Sequence, residues 1–154
     1  MIPTNTKIAL FLCLGLLICF PSFGQPAKKL FIVHSYEQNH VCGQPQHDGI
    51  IKALADNGWT PGRNVDLKVY YMDTKKKNNT PDLIRSQAQK VLSRIKAFGA
   101  DLVITLDDNA FDVVALPLAG HGTGVVFSGM NGQPEDYNIK TRFMDNRHRP
   151  GGNI

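Results

Sequence analysis

Four short apolar segments alternate along this chain with segments whose apolar residues recur at helical spacing. The first, KLFIVH at residues 29–34, is an almost continuous apolar run, which is typical of a strand covered on both faces. Strands that are separated by helices pair in parallel through right-handed crossovers. The chain therefore predicts an α/β fold, an open parallel sheet of about four strands with flanking helices.

The clearest helical segment is Pro81–Phe98. Thr80 is a suitable N-cap, Pro81 occupies the first helical position, and Asp82 lies in the first turn, where a negative charge is favourable. Gly99 provides the expected end. Asp108 is a candidate cap for the third helix. The predicted strands are residues 29–34, 65–72, 101–106 and 124–128, and the predicted helices are residues 46–57, 81–98 and 109–116, the last one stopped by Pro117.

The first 24 residues have the sequence pattern of a secretory signal peptide. Residues 8–20 form an uninterrupted apolar run, which is shorter than the about 20 residues that a bilayer core requires. Pro21 ends the run, and small residues follow at the usual cleavage offsets, so we expect cleavage near Gly24. A buried core helix is the alternative. A cleaved signal peptide predicts a periplasmic or secreted product.

Charge and cysteine content narrow the class of protein. The chain has 17 basic and 13 acidic residues, a net charge of +4, and its positive charges are scattered except at Lys75–Lys77. We expect that lysine run to lie in a solvated loop and predict no nucleic-acid partner. Cys42 is the single cysteine after the signal peptide, so no intramolecular disulfide can form and the hydrophobic core must hold the domain together.

Polar and aromatic side chains follow each predicted strand. In an open parallel sheet, ligands bind outside the carboxyl ends of the strands, so these side chains are the candidate ligand contacts. Two alternatives remain open, because Asp108 could act only as a helix cap and Tyr71 only in core packing. The candidate ligand-binding residues are Ser35, Tyr36, Asp73, Asp108, Asn109, Ser128 and Asn131.

Catalytic and metal sites are not predicted. The spacing of His40, Cys42 and His47 fits no common zinc pattern and leaves no obvious fourth ligand, although His34 is nearby. Asp107 and its neighbour could serve as general acid and base, but no second catalytic group is spaced to help them. Glycine-rich phosphate loops and nucleophile elbows are missing from the sequence. We therefore expect no cofactor, no metal and no enzymatic activity.

Several sequence motifs resemble those of a known protein family. The runs KKLFIVHSYEQNH, TLDDNAF, VVFSGMNGQPEDYN and RPGGNI, in this order, resemble the substrate-binding proteins of ABC-type transporters that have a type I periplasmic-binding-protein fold. The resemblance implies two α/β lobes, each flavodoxin-like, that close on a ligand around a hinge. It makes residues 25–139 the N-terminal lobe and residues 140–154 a segment leading toward the hinge or a second lobe, so the chain is expected to be a truncated product or a fragment.

The resemblance also implies a function and partners. We expect an extracytoplasmic solute-binding component of an ABC-type importer, which binds a small polar organic solute and signals to a membrane permease. A periplasmic ligand-sensing domain of a signal-transduction protein is the alternative, and an exported enzyme of flavodoxin-like fold is a third. Carried over by position, the family contacts are Ser35, Tyr36, Asp108, Asn109, Ser128 and Asn131.

Overall fold

One parallel sheet of four strands, in the order β2-β1-β3-β4, organises the chain and confirms the predicted fold class. The computed structural model describes residues 26–137, so the expected signal peptide and the expected trailing segment at residues 140–154 lie outside the described residues. The elements are β1 (Lys28–His34), α1 (Gly43–Asp56), β2 (Val65–Tyr71), α2 (Pro81–Phe98), β3 (Leu102–Leu106), α3 (Asp108–Ala110), a π-helical turn (Phe111–Ala115), α4 (Leu116–Leu118), β4 (Gly124–Ser128) and a 3₁₀ turn (Pro134–Tyr137).

The predicted ends of α2 are confirmed. The Thr80 side chain accepts the Leu83 N–H at 3.4 Å, and Pro81 stands in the first turn. At the other end Gly99 has φ 67°, a left-handed conformation that glycine adopts without a Cβ clash. The first helix, by contrast, begins at Gly43, three residues before its predicted start, because its first turn is polar and carries no periodic apolar signal.

The third helical segment differs from its prediction. Asp107 occupies the N-cap position and Asp108 is already helical, so Asp108 is not the cap. Pro117 does not stop the helix either, since it lies inside α4. Pro117 has no N–H to donate to the carbonyl four residues before it, and the hydrogen bonding just before it takes the wider π-helical register.

Both faces of the sheet are covered, but unequally. α2 and the helical turns of residues 108–118 cover one face, whereas α1 alone covers the other. Val126 faces the α1 side, because its neighbours Val125 and Phe127 pack on the opposite side against the π-helical turn. Its side chain there is 49% exposed. None of the helices within residues 26–137 is long and apolar enough to cross a membrane. The fully or nearly fully buried core residues on the α2 side include Phe31, Val33, Val91, Ile95 and Val103, and those on the α1 side are Leu30, Ile32, Val65, Ile104 and Leu106.

Helices cover the two faces of the sheet unequally. A valine-to-alanine substitution is therefore expected to cost more stability at a covered position than at an exposed one. Val91→Ala removes two methyl groups from a fully buried site and leaves a cavity, so we expect a loss of about 2–3 kcal/mol in the free energy of unfolding. Val126→Ala, the matched control on β4, should cost less than about 0.5 kcal/mol, because Val126 is half exposed. Urea unfolding measures both, and equal losses would contradict this assignment of the core.

Candidate functional site

The carboxyl ends of the four strands lie in one row. His34 on β1 pairs in register with Tyr71 on β2 and with Leu106 on β3, and Leu106 pairs with Ser128 on β4. The residues that follow these strand ends therefore share one edge of the sheet, which we call the rim. All seven sequence-predicted contacts lie at the rim, Ser128 as the last residue of β4 and the other six beyond the strand ends.

Ser35, a predicted ligand contact, lies below the surface of the rim. It is fully buried, and its hydroxyl donates to the Leu106 carbonyl at 2.8 Å and accepts the Ala110 N–H at 2.7 Å. Through the second hydrogen bond, Ser35, which lies in the loop after β1, caps the helical segment that follows β3. Both hydrogen-bonding roles of the hydroxyl are thus taken up within the protein, so Ser35 positions the rim and does not present a group to solvent.

Thr74 joins the loop after β2 to Ser35 and to Asn109. Its N–H and its hydroxyl both donate to the Ser35 carbonyl, at 2.9 Å and 2.7 Å. The same hydroxyl accepts the Asn109 side-chain amide at 2.8 Å. Asn109, which was predicted, is half-buried and held in place by this bond. Thr74 was not predicted, and its only signal in the sequence is its place two residues after a predicted strand.

Tyr36 lies between a histidine and a lysine. The His40 ring is 4.4 Å from the Tyr36 ring, and the Lys75 ammonium lies 4.3 Å over it, within the range of a cation–π interaction. Tyr36 is 9% exposed. Burial, followed by the negative charges of Asp107 and Asp108, raises the pKa of the Tyr36 hydroxyl, so this largely buried side chain stays neutral.

Lys75–Lys77 lie in a solvated loop, as predicted. Two of these lysines also pair with acidic side chains. Lys76 forms an ion pair with Glu37 at 2.7 Å, and the Lys77 ammonium lies 3.8 Å from the Asp73 carboxylate. The hydrogen bond from Lys76 lowers the pKa of Glu37. Asp73, a predicted contact, has φ 53° and lies at the start of this loop. Because the lysine partners are exposed, pairs of this kind contribute little to stability.

Asp107 is the most unusual residue of the rim. Its backbone has φ 68° and ψ 170°, and its side chain is only 4% exposed. Oδ1 accepts the Gln46 side-chain amide at 3.1 Å, whereas Asp107 Oδ2 and Gln46 Oε1 are buried without a hydrogen-bond partner among the described residues. Burial raises the pKa of the Asp107 carboxyl, and the hydrogen bond from Gln46 opposes this rise.

Gly129, the residue after β4, permits this pair to form. A Cβ atom at position 129 would lie 2.8 Å from Asp107 Oδ1 and from both polar atoms of the Gln46 side chain. Gly129 also has φ 77°, which a residue with a side chain rarely adopts. Two separate constraints therefore require glycine at this position.

Asp108 and Asn131, both predicted as ligand contacts, bind each other. Asp108 Oδ1 accepts the Asn131 N–H at 2.8 Å, and Oδ2 accepts the Asn131 side-chain amide at 2.5 Å. The Tyr137 hydroxyl lies 3.4 Å from Oδ1. Burial alone would raise the pKa of Asp108, but these hydrogen bonds outweigh it and hold that pKa below its usual value. Asp108 therefore anchors the segment that follows β4 as an ionised carboxylate.

Buried His34 pairs with the partly buried His47 beneath the rim. The two rings approach with 3.1 Å between His34 Nε2 and His47 Nδ1, and the Tyr71 ring lies 4.5 Å from the His34 ring. His34 is 2% exposed. Burial, followed by the neighbouring His47, lowers the pKa of His34 from its usual 6.5 to about 4, so His34 is neutral at pH 7.

Ser128 differs from the other predicted contacts because its side chain is free. It is exposed, and its hydroxyl forms no hydrogen bond with the described part of the chain, while its carbonyl accepts the Asp107 N–H at 2.9 Å. The accessible side chains of the rim thus belong to Asp73, Asn109, Ser128 and Asn131, whereas Tyr36 is largely buried.

Within residues 26–137, no three histidine, cysteine, aspartate or glutamate side chains lie close enough together to hold a metal ion. This includes the histidines and the exposed Cys42 that the sequence brings close together. The arrangement instead offers hydroxyl, amide and carboxylate groups to a polar molecule.

Comparisons with known proteins identify no relative. No protein-family model, curated protein or solved structure matches the chain.

The lowered pKa of His34 predicts acid sensitivity. The unfolded state takes up the proton near pH 6.5 and the folded state only near pH 4, so stability is lost as the pH falls through this interval. We expect the free energy of unfolding to fall by about 3 kcal/mol more in the wild type than in His34→Gln between pH 7 and pH 4. Urea unfolding at several pH values measures this difference. The exposed His121→Gln should follow the wild type, and identical pH profiles for wild type and His34→Gln would contradict the prediction.

The contact around Gly129 predicts a second effect. Gly129→Ala and Gly122→Ala both introduce a side chain at positive φ, 77° and 87°, but a Cβ at position 122 meets no atom within 4 Å. The difference between the two variants therefore isolates the clash with the Asp107–Gln46 pair. We expect Gly129→Ala to be less stable than Gly122→Ala by about 1–3 kcal/mol in thermal or urea unfolding. Equal stabilities of the two variants would show that the Asp107 and Gln46 side chains move aside without a loss of free energy.

Proposed function

We propose that this chain is the N-terminal lobe of an extracytoplasmic solute-binding protein of an ABC-type importer. In this proposal, the rim binds a small polar organic solute and leaves it chemically unchanged. The resemblance of the sequence motifs to that family supports the transport role, and the apolar run of residues 8–20 supports export. The membrane permease of the importer is the implied partner, and closure of a second lobe onto the rim is the implied signal.

The observation that carries the proposal is the position of backbone strain. Among residues 26–137, three residues other than glycine have positive φ: Asn39 at 63°, Asp73 at 53° and Asp107 at 68°. They lie in the loops that follow β1, β2 and β3, all at the carboxyl edge. Asparagine and aspartate tolerate the left-handed region, but the ψ of 170° at Asp107 lies outside it. Strain of this kind costs about 1–3 kcal/mol and concentrates where a fold positions functional groups.

The chemistry of the rim favours binding over catalysis. A general base works best with a pKa near the working pH. His34 has a pKa of about 4 and is buried, and Asp108 is held ionised by its bonds to Asn131. The accessible groups include the Ser128 hydroxyl and the side-chain amides of Asn109 and Asn131, which suit hydrogen bonding.

Calorimetric titration of the secreted full-length protein with a panel of amino acids and sugars tests the proposal. We expect saturable heat from at least one solute, because a rim of oriented polar groups and a second lobe would together enclose it. Absence of heat from every solute, with the protein folded by circular dichroism, would count against solute binding.

A matched pair of serine variants locates the binding site. Ser128→Ala removes an exposed rim hydroxyl, and Ser93→Ala removes an exposed hydroxyl on α2, far from the rim. We expect Ser128→Ala to weaken solute binding by about 2- to 10-fold, the effect of one lost neutral hydrogen bond, and Ser93→Ala to leave it unchanged. The dissociation constants from calorimetry decide this, and a normal affinity in Ser128→Ala would place the solute elsewhere.

A further inference from the structure

Two buried hydrogen-bond acceptors beneath the rim have no donor. Among the described residues, four buried side-chain atoms are without a hydrogen-bond partner. Two of them, Asp107 Oδ2 and Gln46 Oε1, belong to side chains that are already bonded to each other. Neither atom is exposed to solvent. A buried polar atom without a partner loses its hydration and gains nothing in return, so the folded state favours any donor that serves both atoms.

The orientation of the Gln46 amide is fixed by its two N–H bonds. Gln46 Nε2 donates to the Cys42 carbonyl and to Asp107 Oδ1, both at 3.1 Å. Exchanging the amide nitrogen and oxygen would place Oε1 against these two acceptors, so the assignment follows from the hydrogen bonds. Gln46 Oε1 is therefore an acceptor that faces no donor, as is Asp107 Oδ2.

The Asp107–Gln46 pair lies where three elements meet. Gln46 belongs to α1, Asp107 follows β3, and Gly129 follows β4. A Cβ atom at position 129 would lie only 2.8 Å from Asp107 Oδ1 and from Gln46 Oε1, so Gly129 closes the site from the β4 side. On the α1 side, a Cβ atom at Gly43 would lie 3.8 Å from Asp107 Oδ2. Backbone therefore approaches the pair closely from two directions.

The charges around Asp107 do not include a direct ion pair. Within residues 26–137 its carboxyl group forms no salt bridge. Burial has the largest influence on the pKa of Asp107 and raises it. The Gln46 hydrogen bond and the charges of His40 and Lys75 lower this pKa, and Asp108 raises it. The titratable side chains around the pair are His34 of β1, Tyr36 and His40 of the next loop, Cys42 before α1, Lys75 after β2 and Asp108 of α3.

We infer that the folded protein holds a proton between Asp107 Oδ2 and Gln46 Oε1. Oδ2 carries the proton and donates it to Oε1, while Gln46 Nε2 donates to Oδ1, so a single proton gives both unpartnered atoms a partner. The protonated pair is neutral and links α1 to the loop after β3. Loss of the proton leaves a buried negative charge with one donor, which makes the pair a pH-sensitive latch beneath the rim. The latch does not depend on the solute-binding proposal.

Asp107→Asn tests the latch directly, because an asparagine amide makes both hydrogen bonds without a proton. An aspartate whose pKa is raised by folding contributes stability at low pH that is lost as the pH rises through the folded-state pKa. The variant has no such group to lose. We expect its melting temperature to be close to that of the wild type at pH 4 and higher by about 4 °C or more at pH 8.

Asp108→Asn is the matched control one residue further along the chain. Asp108 accepts two hydrogen bonds from Asn131 as an ionised carboxylate, so this variant should melt below the wild type at pH 8. If Asp107→Asn also melted below the wild type at every pH, another donor would serve an ionised Asp107, and the inference would be overturned. Equal rises in both variants would show a general effect of charge and would refute it as well.

Carbon NMR of the wild type locates the proton. The carboxyl carbon of Asp107, identified by its absence in Asp107→Asn, should titrate at a higher pH than that of Asp108. The side-chain carbonyl carbon of Gln46 should shift with the same midpoint as Asp107, because its oxygen accepts the proton. A Gln46 carbonyl that does not follow this titration, or an Asp107 carboxyl that titrates together with Asp108, would contradict the shared proton.

Discussion

The buried hydroxyl and carbonyl of Ser35 hold the rim together. A parallel sheet aligns its strand ends, but it does not determine how the loops beyond them are arranged. Ser35 does this by bonding to Leu106 on β3, to the helix start at Ala110 and to Thr74 after β2. Three loops thus converge on one side chain and its carbonyl. Since all these groups are buried, each unpaired one would carry the full cost of its desolvation, which makes the arrangement specific.

Around this centre, the carboxyl groups at the rim are hydrogen-bonded or ion-paired to other side chains. Asp108 is bonded to Asn131, Glu37 to Lys76, and Asp107 to Gln46. Such pairing leaves the Ser128 hydroxyl and the Asn109 amide among the groups that contact solvent. A rim of this kind is suited to recognising a polar molecule. The opposite edge of the sheet, where the strands begin, is more apolar, because Leu54, Trp59 and Leu102 line a concave surface there.

Much of the fold follows from the sequence. The strands of residues 65–72 and 124–128 and the helix Pro81–Phe98 match the structure to within one residue, because a strong period in apolar residues coincides with clear caps and turns. The segment after β3 was predicted less well. Its N-cap is Asp107, not Asp108, and Pro117 lies inside the helical turns, since a serine from another loop and a π-helical register replace the local signals.

The sequence by itself determined the parallel α/β architecture and the edge at which polar side chains gather, because both depend on local periodicity and on the direction of strands. Only the tertiary structure decided the role of each side chain at that edge. It buries Ser35, pairs Asp108 with Asn131, places Gly129 against Asp107 and leaves Ser128 accessible. These outcomes depend on contacts between residues tens of positions apart, whose distances are set by how helices and loops pack, and no local pattern encodes them.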